Sequence, residues 1–89
     1  MKTIQIKITG RVQGVCFRAS TQKQAIKSGV TGFVKNNDDG SVKVVASAEP
    51  EVLEKFVTWC RKGPIMARVN GIMVENLTTT EKFVRFDIL

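Results

Sequence analysis

The chain has 89 residues, 43% of them hydrophobic and 25% charged, enough to close one small core and too few for two. It carries a formal net charge of +6, two cysteines (Cys16 and Cys60) and no histidine. That inventory excludes histidine acid–base catalysis, a disulfide scaffold and a zinc site of the usual Cys/His kind, while the positive charge points to an anionic partner, either nucleic acid or a small phosphorylated molecule.

Taken in order, Ile4, Ile6 and Ile8 alternate with Gln5, Lys7 and Thr9, which predicts a strand with one buried face. Lys7 interrupts any apolar run of the signal-peptide kind, and no stretch approaches the ~20 apolar residues of a membrane span. A soluble cytoplasmic protein is expected, with both thiols free in a reducing compartment.

The next stretch, Gly10-Arg-Val-Gln-Gly-Val-Cys-Phe-Arg18, leads from that strand into a helix. Two glycines four apart permit a tight backbone turn, and successive N–H groups can face inward together beside the unpaired donors of a helix start. Such a nest favours an anion, and Arg18 adds a planar fork of donors suited to phosphate or carboxylate oxygens. Taken alone, the motif leaves two readings open: a phosphate cradle, or a Gly-containing turn with a surface arginine.

A helix is predicted from Phe17 to Ser28, with Gln22, Ala25 and Ile26 supplying its modest apolar face and Gly29 its stop. Val30 to Lys35 is a short β-rich run. Asn36-Asn37-Asp38-Asp39-Gly40 is a turn, and Ser41 to Ala48 returns as a strand. The second helix is clearer. Pro50 suits its first position, Glu49, Glu51 and Glu54 complement the positive end of its dipole, and Gly63-Pro64 stops it. Val52, Leu53, Phe56, Val57 and Cys60 form its apolar stripe. Ala67 to Leu77 reads as a strand in which Asn70-Gly71 marks a bulge or kink. Thr78 to Glu81 turns the chain into a last strand carrying Val84, Phe86 and Ile88.

The resulting order is β-α-β-β-α-β with one extra terminal strand, a split βαβ layout with an antiparallel sheet and both helices on one face. The first two strands run the same way with the third between them. The loop after the first and the hairpin after the second therefore leave the sheet at one edge, where Arg18 and Asn36 can meet.

Gly-Arg-Val-Gln-Gly-Val-Cys-Phe-Arg followed by Gly-Phe-Val-Lys-Asn-x-x-Asp-Gly-x-Val (Gly32 to Val42) is similar to the paired signature of acylphosphatases. The resemblance extends through Trp59 to Pro64 and Ala67 to Val69, and covers nearly the whole chain. It implies a single acylphosphatase-like domain over residues 1–89, an α+β ferredoxin-like sandwich that hydrolyses acyl phosphates without a metal or other cofactor. By that comparison Arg18 grips the phosphate together with the loop of Arg11, Val12, Gln13, Gly14 and Val15, and Asn36 holds the attacking water. Phe33 stands where many members have tryptophan, a change expected on the buried side. Lys43 replaces a common glutamate, and Ala48 a common glycine.

Cys16 is expected as a packed small apolar residue, because a thiolate that attacks bound phosphate would begin the loop and not precede its arginine by two positions. Asp38 and Asp39 read as turn residues. An RNA-binding module shares the layout and the charge, but its central strands present aromatics for base stacking and the third strand here has none. A non-catalytic phosphate-sensing domain is the remaining alternative, against which the presence of both Arg18 and Asn36 argues. A monomer acting on a small acyl phosphate, with no nucleic-acid or membrane partner, is the resulting expectation.

Overall fold

The inward alternation of the first strand is realised in full: Ile4, Ile6 and Ile8 are all buried. The computed structural model describes Met1–Leu89. In chain order the elements are β1 (Lys2–Arg11), α1 (Phe17–Ser28), β2 (Thr31–Asn36), β3 (Val42–Ala48), α2 (Pro50–Lys62), β4 (Arg68–Asn76) and β5 (Phe86–Ile88). They form one five-stranded sheet in the order β4-β1-β3-β2-β5. Register aligns Ile6 with Val44 and Val44 with Val34, so one row of buried side chains crosses the three central strands.

Both helices cover that row. Leu53, Phe56 and Cys60 project from α2 at spacings of three and four, while α1 contributes Phe17, Thr21 and Ala25. The inward stripe of α1 thus differs from the expected one, since Ile26 is 65% exposed. The polar member of the true stripe is satisfied: the Thr21 hydroxyl donates to the Phe17 carbonyl at 2.8 Å. Each fully buried large apolar side chain contributes about 1.5–3 kcal/mol. Phe56 meets Phe86 at 6.2 Å between ring centroids, which joins α2 to β5 across the core.

The four long strands pair antiparallel as expected, but β5 lies parallel to β2, which makes the sheet mixed. β5 is also shorter than the alternation predicted. Residues 77–85 first cross the sheet face opposite the helices, from the β4 edge to the β2 edge, and regular pairing begins only at Phe86. Val84 stays 87% exposed for that reason. The crossing also corrects the expected place of Phe33. Gly32 and Val34 take the buried side of β2, so Phe33 faces the other way, half-buried, with its ring 6.0 Å from Phe83.

The kink expected near Asn70-Gly71 is a β-bulge. Thr9 pairs with Gly71 and Gly10 with Val69, leaving Asn70 as the extra residue. Gly10 is obligatory there, since its φ is +125° and a Cβ would collide with the Arg68 carbonyl oxygen.

The two cysteines occupy opposite environments. Cys60 is packed in the core, and burial pushes its thiol up to about 12. Cys16 is exposed, contrary to expectation. Its neighbours Val15 and Phe17 both enter the core, which leaves the residue between them pointing outward with a left-handed φ of 63°. An aromatic-disulfide thiol titration is therefore expected to count one reactive cysteine in the folded protein and two in denaturant. Two rapidly reacting thiols in the native protein would contradict this packing of Cys60.

Candidate active site

Three segments converge at one edge of the sheet because β1, β2 and β5 run the same way. The loop after β1, the last residue of β2 and the end of β5 all emerge there. A cavity of about 200 Å³ lies between them, lined by Val12, Gln13, Gly14, Cys16, Phe17, Arg18, Ala19, Asn36 and Ile88. It is several times the roughly 30 Å³ that one water occupies in the liquid.

The loop takes its shape from a simple division of side chains. Val12, Val15 and Phe17 are buried and anchor it to the core. Gly14, exposed and at φ +75°, makes the turn between the anchors where other residues would be strained. With the side chains so committed, none of the N–H groups from Val12 to Cys16 donates to a backbone carbonyl. The first-turn donors of α1 adjoin them, and no acidic residue occupies that turn. The result is a cluster of unpaired donors at the positive end of a helix dipole, a favourable place for an anion.

Arg18, one residue into α1, is half-buried beside this cluster and donates through Nη1 to the main-chain oxygen of Leu89 at 3.2 Å. A second tie from α1 reaches β5 itself, from Gln22 Nε2 to the Phe86 carbonyl at 2.9 Å. Asn36 closes the cavity from the end of β2. Its Oδ1 is buried and receives no hydrogen bond from the protein. Such an orphaned acceptor costs about 1–3 kcal/mol, so its persistence calls for an explanation.

The hairpin behind Asn36 is well ordered. Asn37 Nδ2 donates to Ser41 Oγ at 2.8 Å, and the Ser41 N–H donates to Asp39 Oδ1 at 2.9 Å. Hydrogen bonds from the Ser41 hydroxyl and N–H, with Lys7 3.0 Å away, hold the Asp39 carboxyl far below the usual carboxylate range. Asp39 is thus a charged turn residue and not a base. Asp38 is exposed in the same turn.

Arg18, Asn36, Val12, Gln13 and Gly14, all singled out from the sequence, meet in this cavity. Val15 turns its side chain into the core. Arg11 ends β1 opposite Arg68, and lines a separate groove with Ile65, Met66 and Ala67. Ile88 and the main-chain oxygen of Leu89 were not foreseen. Their signal is the direction of β5, which follows from the crossing of residues 77–85 and not from any local motif.

The family model described as acylphosphatase matches residues 4–88. An acylphosphatase of Methylococcus capsulatus is 42% identical over the whole of this chain and 97% of that protein. One of Lactobacillus johnsonii is 43% identical over all of this chain and 99% of its own length. The crystal structure of an acylphosphatase from Bacillus subtilis superposes with a TM-score of 0.95 at 37% identity, covering 100% of this chain and 99% of that one. With the family model, the relatives and the fold in agreement over essentially the full length, this chain belongs to the acylphosphatase family.

Proposed function

We propose that the protein hydrolyses acyl phosphates to a carboxylate and inorganic phosphate, with Arg18 and the backbone donors of the loop from Arg11 to Val15 binding the phosphate and Asn36 orienting the attacking water. The observation that carries this reading is that Asn36 lines the same cavity as Arg18 and the loop with the free N–H groups, while its Oδ1 is buried without a protein partner. A side-chain amide beside an anion cradle, with no bond to the protein through its oxygen, suits a water that must approach phosphorus in line.

The chemistry suits residues that neither donate nor accept protons at neutral pH. Water oxygen bonds to phosphorus as the bond from phosphorus to the acyl oxygen breaks, and the electron pair leaves with the carboxylate. A carboxylic acid has a pKa near 4, so that leaving group departs as an anion without a general acid. Phosphoryl transfer passes through a loose transition state, which makes positioning and charge stabilisation the main tasks. The guanidinium and the N–H nest supply the stabilisation. Asn36 is too weak a base to ionise water, and the proton passes to a phosphate oxygen of the substrate.

This reading includes a cytoplasmic monomer that uses no metal or other cofactor and no nucleic-acid partner. The cavity is assembled from one chain, and no helix is long and apolar enough to cross a membrane. On the sheet face away from the helices, β1 and β3 carry Thr3, Gln5, Lys7, Lys43, Val45 and Ser47, none of them aromatic, and Phe33 of β2 is packed against Phe83 of the crossing segment.

Arg18→Lys keeps the charge but loses the fork, and turnover of benzoyl phosphate is expected to fall by roughly 100-fold or more. Near-wild-type turnover in a folded Arg18→Lys protein would remove Arg18 from the site. Asn36→Ala is expected to lose roughly 10²–10³-fold in kcat while inorganic phosphate still inhibits with unchanged strength, since gripping phosphate and orienting water are separate tasks. Joint loss of turnover and phosphate binding would refute that division. Selectivity for the leaving group follows as well. Simple alkyl phosphates must expel an alkoxide, which ordinarily requires a general acid or a metal ion. Side-by-side assays of benzoyl phosphate and an alkyl phosphate, each with and without chelator, are expected to show hydrolysis of the first only and indifference to chelation. Comparable rates on both substrates, or loss on chelation, would mean that an acid or a metal takes part.

A further inference from the structure

The cradle loop and the hairpin that bears Asn36 come from different parts of the sheet. The ladder between β1 and β3 ends at the Ile8–Val42 pair. Beyond it, no backbone hydrogen bond joins residues 12–16 to residues 37–41. One side chain spans the interval. Gln13 Nε2 donates to the Asn37 carbonyl at 2.8 Å and to the Ser41 carbonyl at 2.9 Å, so both protons of its amide are used. The two acceptors belong to a turn that is already closed, since the Asn37 N–H donates to the same Ser41 carbonyl at 2.8 Å.

We infer that Gln13 is a positioning residue: its side-chain amide fixes the hairpin against the cradle and thereby sets where the Asn36 side chain lies relative to bound phosphate. The inference rests on the roles proposed above for the cradle and for Asn36. Gln13 suits the task chemically because it offers two donors from one nitrogen to two carbonyls. Glutamate, of the same shape, offers none when ionised and one when protonated. Misplacement of a reactive group by a fraction of an ångström to an ångström is enough to lower a rate severely, even where ground-state binding survives.

The test compares Gln13→Met and Gln13→Glu with the unmutated protein in benzoyl phosphate hydrolysis and in inhibition by inorganic phosphate. Gln13→Met is expected to lower kcat by roughly tenfold or more, a single hydrogen-bonded contact's worth of barrier or somewhat above it, with the phosphate inhibition constant unchanged. Gln13→Glu is expected to fall at or below Gln13→Met at neutral pH, where its carboxylate meets two carbonyls, and to gain on it progressively as the pH falls towards about 5. A carboxyl facing two carbonyls titrates above the ordinary glutamate value of about 4.3, and its protonated form restores one donor. Arg11, Cys16 and Arg18 of the loop, Asp38 and Asp39 of the hairpin, and Lys7, Lys35 and Lys43 of the strands are common to both variants. The ratio of the two rates therefore isolates residue 13.

Near-wild-type kcat in Gln13→Met overturns the inference. So does parallel loss of turnover and phosphate binding, which would place the effect in the cradle alone, and so does a Glu-to-Met ratio that ignores pH. An inactive unmutated protein would instead overturn the function on which the inference rests, so the two failures are distinguishable. Should either variant fail to fold, nuclear magnetic resonance of the unmutated protein decides. Scalar couplings across hydrogen bonds from Gln13 Nε2 to the Asn37 and Ser41 carbonyls are expected, and their absence with a freely exchanging amide overturns the bridge.

Discussion

The site depends on the burial of three apolar side chains in a loop that would otherwise be free. Val12, Val15 and Phe17 are each less than a tenth exposed, and together they commit the loop to the core at nearly every second residue. Backbone N–H groups left unpaired in this way cost free energy when no acceptor reaches them, so the loop has no local reason to hold its shape. The hydrophobic anchors, at about 1.5–3 kcal/mol for each well-buried side chain, are large enough to hold it open. The packing extends to the far side of Phe17, where Trp59 lies 6.0 Å away and Gly63 approaches so closely that a Cβ would strike the ring. The end of α2 thus supports the start of α1.

Much of this was legible in the sequence because it rests on short-range patterns. The alternation of Ile4, Ile6 and Ile8, the stripe on α2 and the turn chemistry from Asn36 to Gly40 each name their own element. The parallel relation of β1 and β2 follows from the helical crossover between them, and with it the meeting of Arg18 and Asn36. What escaped were features decided by distant parts of the chain. The inward face of α1 is set by a sheet that presses on Phe17, Thr21 and Ala25, and its own pattern is too weak to say so. The direction of β5, and the reversal of Phe33 to the strapped face, depend on how residues 77–85 cross the sheet. Cys16 was misplaced because sequence patterning treats a cysteine as a small apolar residue, whereas here its two neighbours had already claimed the interior.

The charge of the chain acts differently at the site and around it. Most lysines are dispersed and solvated, and the ion pairs Met1–Glu49, Lys7–Asp39 and Arg85–Asp87 are exposed enough to contribute little to stability. At the cavity, by contrast, the only formal charge among the lining residues is that of Arg18. The remaining attraction for an anion comes from oriented N–H dipoles, which do not have to move when charge shifts during a reaction. Net charge draws anions towards the protein in general, and the fixed dipoles decide where one stops.

Asn36 shows how stability and chemistry are set against each other in a domain this small. Leaving its Oδ1 buried and unpartnered costs about 1–3 kcal/mol, against a total stability of about 5–15 kcal/mol for ordinary domains. A serine or water-exposed turn residue would end β2 without that cost. The surrounding hairpin is nonetheless braced in several ways: Asn37 to Ser41, Ser41 to Asp39, Asp39 to Lys7 on β1, and Gln13 from the cradle. None of these bonds reaches the Asn36 side chain, and all of them constrain the backbone from which it projects. A side chain that relaxed to find its own partner would satisfy the fold and lose its aim. The bracing therefore makes sense as support for a side-chain amide held at the cavity wall and left unbonded to the protein through its oxygen, and it places the demand for rigidity in the hairpin's polar network, not in the hydrophobic core.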